Sequence, residues 1–139
     1  MRQAQETLTV LTTGEGFFDM TRDVTAWVRR QEICTGLLTL FSQHTSASLI
    51  IQENADPDVT HDLSTFLRRL VPEARQLYRH TIEGPDDMPS HIRTMLTGLC
   101  LSIPVRDSHP VLGTWQGIYL AEHRQLPHTR RVVMHLFGM

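Results

Sequence analysis

The stretch GLLTLFSQHTSASLIIQE, residues 36 to 53, narrows the fold more than any other part of the chain. It is long and apolar enough to suggest a helix, but Ser, Thr and Ile crowd it. Such side chains lose rotamer freedom in a helix or compete for its backbone hydrogen bonds. They suit a pleated, half-buried surface instead. The run therefore predicts two strands, or one bent strand, broken around Gln43-His44. ETLTVLT, residues 6 to 12, reads as another strand ending near Gly14, and CLSIPVR, GTWQGIYLAEH and RRVVMHLF follow in the same style from Cys100 onward. Within TWQGIYLAE, Trp115, Gly117, Tyr119 and Ala121 fall on one face, with Thr114, Gln116, Ile118, Leu120 and Glu122 opposite.

Helices interrupt the strands. Asp19 or Thr21 can cap one that runs to about residue 31, burying Val24, Trp27 and Val28. ADPDVTHDLSTFLRRLVP, residues 55 to 72, is the clearest. Asp56 caps it, Pro57 sits where no amide is needed, and Asp58 complements the positive helix end. Val59, Leu63, Phe66, Leu67 and Leu70 form its apolar stripe, and Pro72 stops it. PSHIRTMLTG, residues 89 to 98, makes another helix ending at Gly98, with Ile92, Met95 and Leu96 expected on its inner face. No repeat, linker or low-complexity stretch appears. The pattern predicts a single α+β domain over residues 1 to 139, built on a largely antiparallel sheet with short helices packed on it.

A chain of 139 residues is long enough for one real core. Its formal charge of −2 supplies no basic field for nucleic acid, and its short Arg-Arg pairs read as solvated faces. No apolar run approaches the roughly 20 residues that a membrane helix needs. The first residues lack the apolar centre of a signal peptide, so a cytoplasmic protein with neither nucleic-acid nor membrane partner is expected. Cys34 and Cys100 lie in apolar, strand-like surroundings and read as buried structural thiols.

Eight histidines are many for this length. His109 and His128 stand beside prolines in loops, His135 lies in the last strand, and His61 shares a helix face with Asp58 and Thr65. His44, His80 and His91 sit in more suggestive places: a strand bend followed by Thr45, Ser46 and Ser48, an irregular loop, and a helix start preceded by Asp86 and Asp87. They are either ordinary polar residues or ligands brought together from three elements. Three imidazoles with an open position would make a catalytic zinc-type site, and nearby carboxylates would orient the rings. QENADPD, residues 52 to 58, crowds acids and an amide at a helix start, which capping by Asp56 and Asp58 explains only in part. Gly113 and Gly117 bracket Trp115 and Gln116, which suggests a close backbone approach, although Trp115 could equally be plain core. Arg124 and Arg130 are candidates for phosphate, since a guanidinium matches its oxygens bidentately.

QHTSASLIIQENADPDVTHD, YRHTIEGPDDMPSHI, GTWQGIYLAEHR and TRRVVMHLFG together closely resemble the YjbQ-like family, also called the secondary thiamine-phosphate synthase family. The four motifs occur in order and carry the resemblance over nearly the whole chain. It implies an antiparallel β-sandwich-like body with packed helices, a homotrimer, and a pocket in which His44, His80 and His91 hold a divalent metal such as zinc. It also carries over Glu53, Asn54, Asp56, Trp115, Gln116 and Arg130. Where many members read Gly-Pro-Arg before the last strand, this chain has Leu126-Pro127-His128, while Arg130 and Arg131 remain. The activity it implies is joining a pyrimidine diphosphate to a thiazole phosphate with release of pyrophosphate, as a secondary or latent reaction.

The expectation is a metal-assisted enzyme acting on a phosphorylated small molecule. Glu53, Asp56 and Glu122 are its candidate catalytic carboxylates, Asp86 or Asp87 orients a histidine, and Thr45, Ser46, Arg124 and Arg130 hold the anion. The alternatives are a phosphometabolite-binding or regulatory module that catalyses nothing, and a structural trimer whose histidines pair between subunits.

Overall fold

The structure, a computed structural model, describes all 139 residues. In chain order the elements are β1 (Arg2–Leu11), β2 (Gly16–Asp19), α1 (Thr21–Arg30), β3 (Gly36–Ser42), β4 (Ala47–Glu53), α2 (Pro57–Leu70), α3 (Asp87–Thr97), β5 (Cys100–Arg106), β6 (His109–Pro110), β7 (Gln116–Glu122) and β8 (Thr129–Gly138), with a 3-10 turn at Arg75–Leu77. The strands form two sheets, β1-β8-β3-β5-β6 and β2-β7-β4, in which every pairing is antiparallel. The run from 36 to 53 is thus two strands, and they join different sheets. The α+β architecture matches the expectation.

Alternation places the core between the sheets. Leu38 and Leu40 of β3, Ile103 and Val105 of β5, and Val132, Met134 and Leu136 of β8 face Leu49 of β4 with Ile118 and Leu120 of β7. Val24, Trp27 and Val28 of α1 join the same cluster, as their spacing predicts. Asp19 starts α1 by accepting from the Thr21 backbone N–H at 2.8 Å and from its hydroxyl at 2.6 Å. Where β3 meets β8, Gly36 pairs with Gly138, and a Cβ on either would strike the facing backbone.

Two helices depart from their predicted packing. Asp56 caps α2, accepting from the Asp58 backbone N–H at 2.9 Å. Yet none of the α2 stripe is buried: Phe66 and Leu70 are exposed, and Leu63 and Leu67 are only half-buried. An open apolar groove of about 520 Å³ separates α2 from β4 and α3. Helix α3 begins at Asp87, two residues before the predicted start, and ends at Gly98, whose φ of +99° favours glycine. Its buried side is Asp87, Pro89, Ser90, Arg93 and Thr94, whereas Met95 is 75% exposed and Leu96 is also exposed. The predicted inner face of Ile92, Met95 and Leu96 is therefore corrected: polar residues turn inward, among them Asp87 of the cluster described below and Arg93, which donates to the Val71 carbonyl at 2.9 Å. Cys34 and Cys100 are likewise exposed, one in a loop and one at the first position of β5, so neither is the buried thiol expected. Trp115 is not core either, being 62% exposed just before β7.

Candidate metal centre

Asp87 and His91 lie one turn apart on α3, the spacing that brings side chains onto one helix face. His80 arrives from the loop between the 3-10 turn and α3. Both histidines present Nε2 to the same oxygen of Asp87: His80 Nε2 stands 2.6 Å from Oδ2 and His91 Nε2 stands 3.0 Å from it. The ring centroids are 5.5 Å apart. His80, Asp87 and His91 each offer one ligand atom, and these atoms lie within 4.8 Å of one another.

The second nitrogen of His91 determines what its first can do. Nδ1 is 3.0 Å from the Thr45 carbonyl oxygen, which can only accept, so Nδ1 carries a proton. In the neutral ring Nε2 is then a lone pair, and it points at a carboxylate oxygen. Two lone pairs at that distance need positive charge between them, either a proton or a metal ion. Two imidazoles and one carboxylate fit a divalent cation of the zinc type, with coordination positions left over.

Asp87 is held from behind. Its side chain is 3% exposed, and Oδ1 accepts from Arg124 Nη1 at 2.7 Å. Arg124 also donates from Nε to Asp86 Oδ2 at 2.9 Å and from Nη2 to the Glu83 carbonyl at 3.1 Å. Burial would push the Asp87 carboxyl up, but the His80 hydrogen bond and the neighbouring His91 and Arg124 hold it below the ordinary range. Asp86 is lowered too: hydrogen bonds from the Gln125 backbone and Arg124 outweigh its burial.

His44 does not join the cluster. Its Nε2 accepts from the Arg131 backbone N–H at 2.8 Å, while Gln43 N–H donates to the Arg131 carbonyl at 3.2 Å. The ring therefore replaces a strand carbonyl and extends the β3–β8 ladder past the end of β3. With Nε2 accepting, the neutral ring protonates at Nδ1, so His44 has no free lone pair for a metal. The third member of the cluster is Asp87. Burial, then Arg130, lowers the His44 pKa.

Beneath the cluster lies the buried ion pair of Glu122 and Arg130. Glu122 is buried; its Oε1 accepts from Thr12 Oγ1 at 2.7 Å and Arg130 Nε at 2.8 Å, and its Oε2 from Arg130 Nη2 at 2.5 Å and the Arg124 backbone at 3.1 Å. Burial raises its pKa, but the bonds from Arg130 and Thr12 outweigh that and keep it ionised. Glu122 is a fixed anion rather than a proton carrier. Arg130, also buried, gives Nε and Nη2 to Glu122 and Nη2 to the Ser46 carbonyl at 3.4 Å, and Arg124 is bound to Asp86, Asp87 and the Glu83 carbonyl. Both guanidinium charges are already paired with carboxylates, which argues against their assignment as anion holders. Thr45 is exposed beside the cluster, whereas Ser46 is buried.

Sequence reasoning missed a second buried network. His123 Nε2 lies 2.8 Å from Ser48 Oγ, which lies 2.6 Å from Thr97 Oγ1. Burial, then Arg93, pushes the His123 pKa down to about 4. Its position directly after β7, inside the motif GTWQGIYLAEHR, was the available signal. For Asp87 the signal was its four-residue offset from His91.

The remaining predicted residues lie elsewhere. The β4–β7 register pairs Ala47 with Glu122 at one end and Glu53 with Gln116 at the other. At about 3.3 Å per residue, six steps put these ends about 20 Å apart. Glu53, Asn54, Asp56, Trp115 and Gln116 thus gather at the end away from the histidines. There Glu53 Oε2 accepts from Asp56 N–H at 3.3 Å, Asn54 N–H donates to the Trp115 carbonyl at 3.0 Å, and Gln116 Oε1 accepts from Gly113 N–H at 2.7 Å.

No helix of the protein is long and apolar enough to cross a membrane. Residues 6–139 match the family described as UPF0047 protein YjbQ-like. The chain is 51% identical over 137 residues to UPF0047 protein sll1880 of Synechocystis, covering 99% of this chain and 93% of that one. It is 43% identical to UPF0047 protein YjbQ of Escherichia coli O157:H7, covering 96% and 97% of the two chains. The crystal structure of the conserved hypothetical protein TT1486 from Thermus thermophilus superposes with a TM-score of 0.85 at 38% identity, over 95% of this chain and 99% of that one. The chain belongs to the YjbQ-like UPF0047 family.

Proposed function

We propose that the protein is a metal-assisted enzyme acting on a phosphorylated small molecule, with His80, Asp87 and His91 as the ligands of a divalent metal, zinc being the best chemical match. The observation that carries this reading is the pair of imidazole Nε2 atoms at 2.6 and 3.0 Å from one carboxylate oxygen, with the far nitrogen of His91 committed to a carbonyl. A metal bound there supplies Lewis acidity toward a phosphoryl or leaving-group oxygen. The chain's own residues do the positioning. Thr45 aligns His91 through its carbonyl and offers an exposed hydroxyl to the substrate. Arg124 keeps Asp87 ionised and oriented. Arg131, exposed beside His44, takes the anion-holding role that Arg124 and Arg130 cannot.

The resemblance to the secondary thiamine-phosphate synthase family supports a transferase joining a pyrimidine diphosphate to a thiazole phosphate, in a homotrimer. A second reading, a phosphometabolite-binding module, is favoured by the engagement of Asp87 and Glu122 with guanidinium groups, which leaves neither buried carboxylate free as a base. Metal analysis and turnover of untagged protein and of His80→Ala test the first reading. Metal-free protein with undiminished turnover rules it out. Product analysis separates the two: an enzyme converts the phosphorylated compound that stabilises it against heat, whereas a binder is stabilised by that compound and leaves it unchanged.

A further inference from the structure

Each sheet ends in two edge strands: β1 and β6 in the larger, β2 and β4 in the smaller. An open edge invites pairing with another chain, and proteins blunt such edges by keeping them short or placing charges on them. β6 has two residues, β2 has four, and β1 carries Arg2 and Glu6. β4 has neither protection, since ASLIIQE holds no charge before Glu53.

The register fixes which backbone groups of β4 are free. His123 N–H donates to the Ser46 carbonyl at 3.3 Å and Asn54 N–H to the Trp115 carbonyl at 3.0 Å, continuing the β4–β7 pairing at its two ends. Even-numbered residues of β4 therefore bond to β7, and Leu49, Ile51 and Glu53 turn their backbone groups to the open side. There the Gly98 carbonyl accepts from Leu49 N–H at 3.0 Å, and Gln52 Oε1 accepts from Glu53 N–H at 3.2 Å. The N–H and C=O of Ile51 and the Leu49 carbonyl have no partner in the chain.

The apolar groove of about 520 Å³ follows this edge. Leu49, Ile50, Ile51 and Gln52 all line it, although successive strand side chains point to opposite faces. The edge itself, not one face, is thus its floor. Leu96 and Leu101 border it on one side, and Leu63, Phe66 and Leu70 of α2 on the other. Phe66, Leu70 and Leu96 are exposed, each more than half.

We propose that this edge takes an extended peptide segment of a partner protein, added as a short strand beside Ile51. The main-chain groups select the occupant. A helix has already used its own N–H and C=O groups, and an apolar small molecule has none, so neither satisfies Ile51. An extended segment bonds to it twice. A second copy has only its own β4 as an unprotected edge, and that strand lies at the floor of an identical groove. Side chains on both faces of the added strand meet apolar walls, so the segment is a continuous aliphatic or β-branched run rather than an alternating one. The Gly98 carbonyl bound to Leu49 ends the pairing and keeps the segment short.

Selection from a displayed library of random linear peptides tests this, followed by synthesis of the enriched sequences. These should share an uncharged aliphatic or β-branched core and slow hydrogen exchange at the Ile51 amide, read by NMR. Alternate core amides point toward β4 and away from it. N-methylating the first set should weaken binding about 10- to 30-fold, as loss of about two hydrogen bonds predicts, and methylating the second set should change it little. Phe66→Lys and Leu96→Lys alter exposed positions that folding does not need buried, and each should weaken binding by a similar factor. No enriched peptide, equal sensitivity to the two methylation sets, or undiminished binding by both lysine variants overturns the inference. So does an Ile51 amide already protected in peptide-free protein of dimeric mass, which would assign the edge to a second copy.

Discussion

Arg124 Nη1 donates at 2.7 Å to Asp87 Oδ1, the oxygen that the two histidines leave free. Groups that orient a metal ligand from behind commonly change affinity by about 10- to 100-fold when removed. Arg124→Ala should weaken zinc binding by that order while the sheets stay folded. Competition against a chromophoric chelator measures it, and wild-type affinity in a folded variant would show that the clip is dispensable.

His44→Ala should leave zinc stoichiometry at the wild-type value, because its Nε2 is occupied by the Arg131 N–H. His80→Ala and His91→Ala should each abolish tight binding. Loss of the one ladder-extending hydrogen bond at His44 costs about 1 kcal/mol. Elemental analysis and denaturant melts on the three variants read both effects, and a zinc-free His44→Ala protein would restore His44 as a ligand.

The buried Glu122–Arg130 pair should tolerate joint replacement better than single loss. Glu122→Gln leaves the Arg130 charge unmatched and should cost about 3–5 kcal/mol, whereas Glu122→Leu with Arg130→Met should recover much of it. Urea unfolding provides the comparison. Equal damage from the single and double changes would contradict the argument.

Acid should destabilise the fold through His123. Its pKa is lowered from 6.5 to about 4 in the folded protein, so between these values the unfolded chain binds more protons than the native one. Stability is therefore full above about pH 6.5 and falls as pH drops toward 4, by up to about 3 kcal/mol. Denaturant unfolding of wild type and His123→Gln from pH 7.5 to 4.5 isolates the contribution as the difference in slope. Parallel curves would remove His123 as its source.

Much of the fold was legible because periodicity and punctuation are local. Ser and Thr in the run from 36 to 53, the Asp56-Pro57 cap and Gly98 each act within a few residues, and each appears where expected. Packing partners are not local. The α2 stripe at Phe66 and Leu70 has the right spacing for burial, yet nothing in the chain covers it. In the site, His80 and His91 were visible as residue types beside aspartates. The exchange of His44 for Asp87 was not, because it depends on how the end of β3 meets β8. Nor could Arg124 and Arg130 be recognised as occupied, since their carboxylate partners are fixed only by the tertiary fold.

Helix α3 turns Ser90, Arg93 and Thr94 toward the sheets and leaves Met95 and Leu96 in water. Ordinary solubility engineering would replace those two outward side chains with charged ones. On this helix that change leaves the inward polar groups untouched, so a better-behaved isolated subunit and an intact His80–Asp87–His91 cluster are separable goals. If neighbouring copies cover the same face, the gain in handling would come at the expense of assembly.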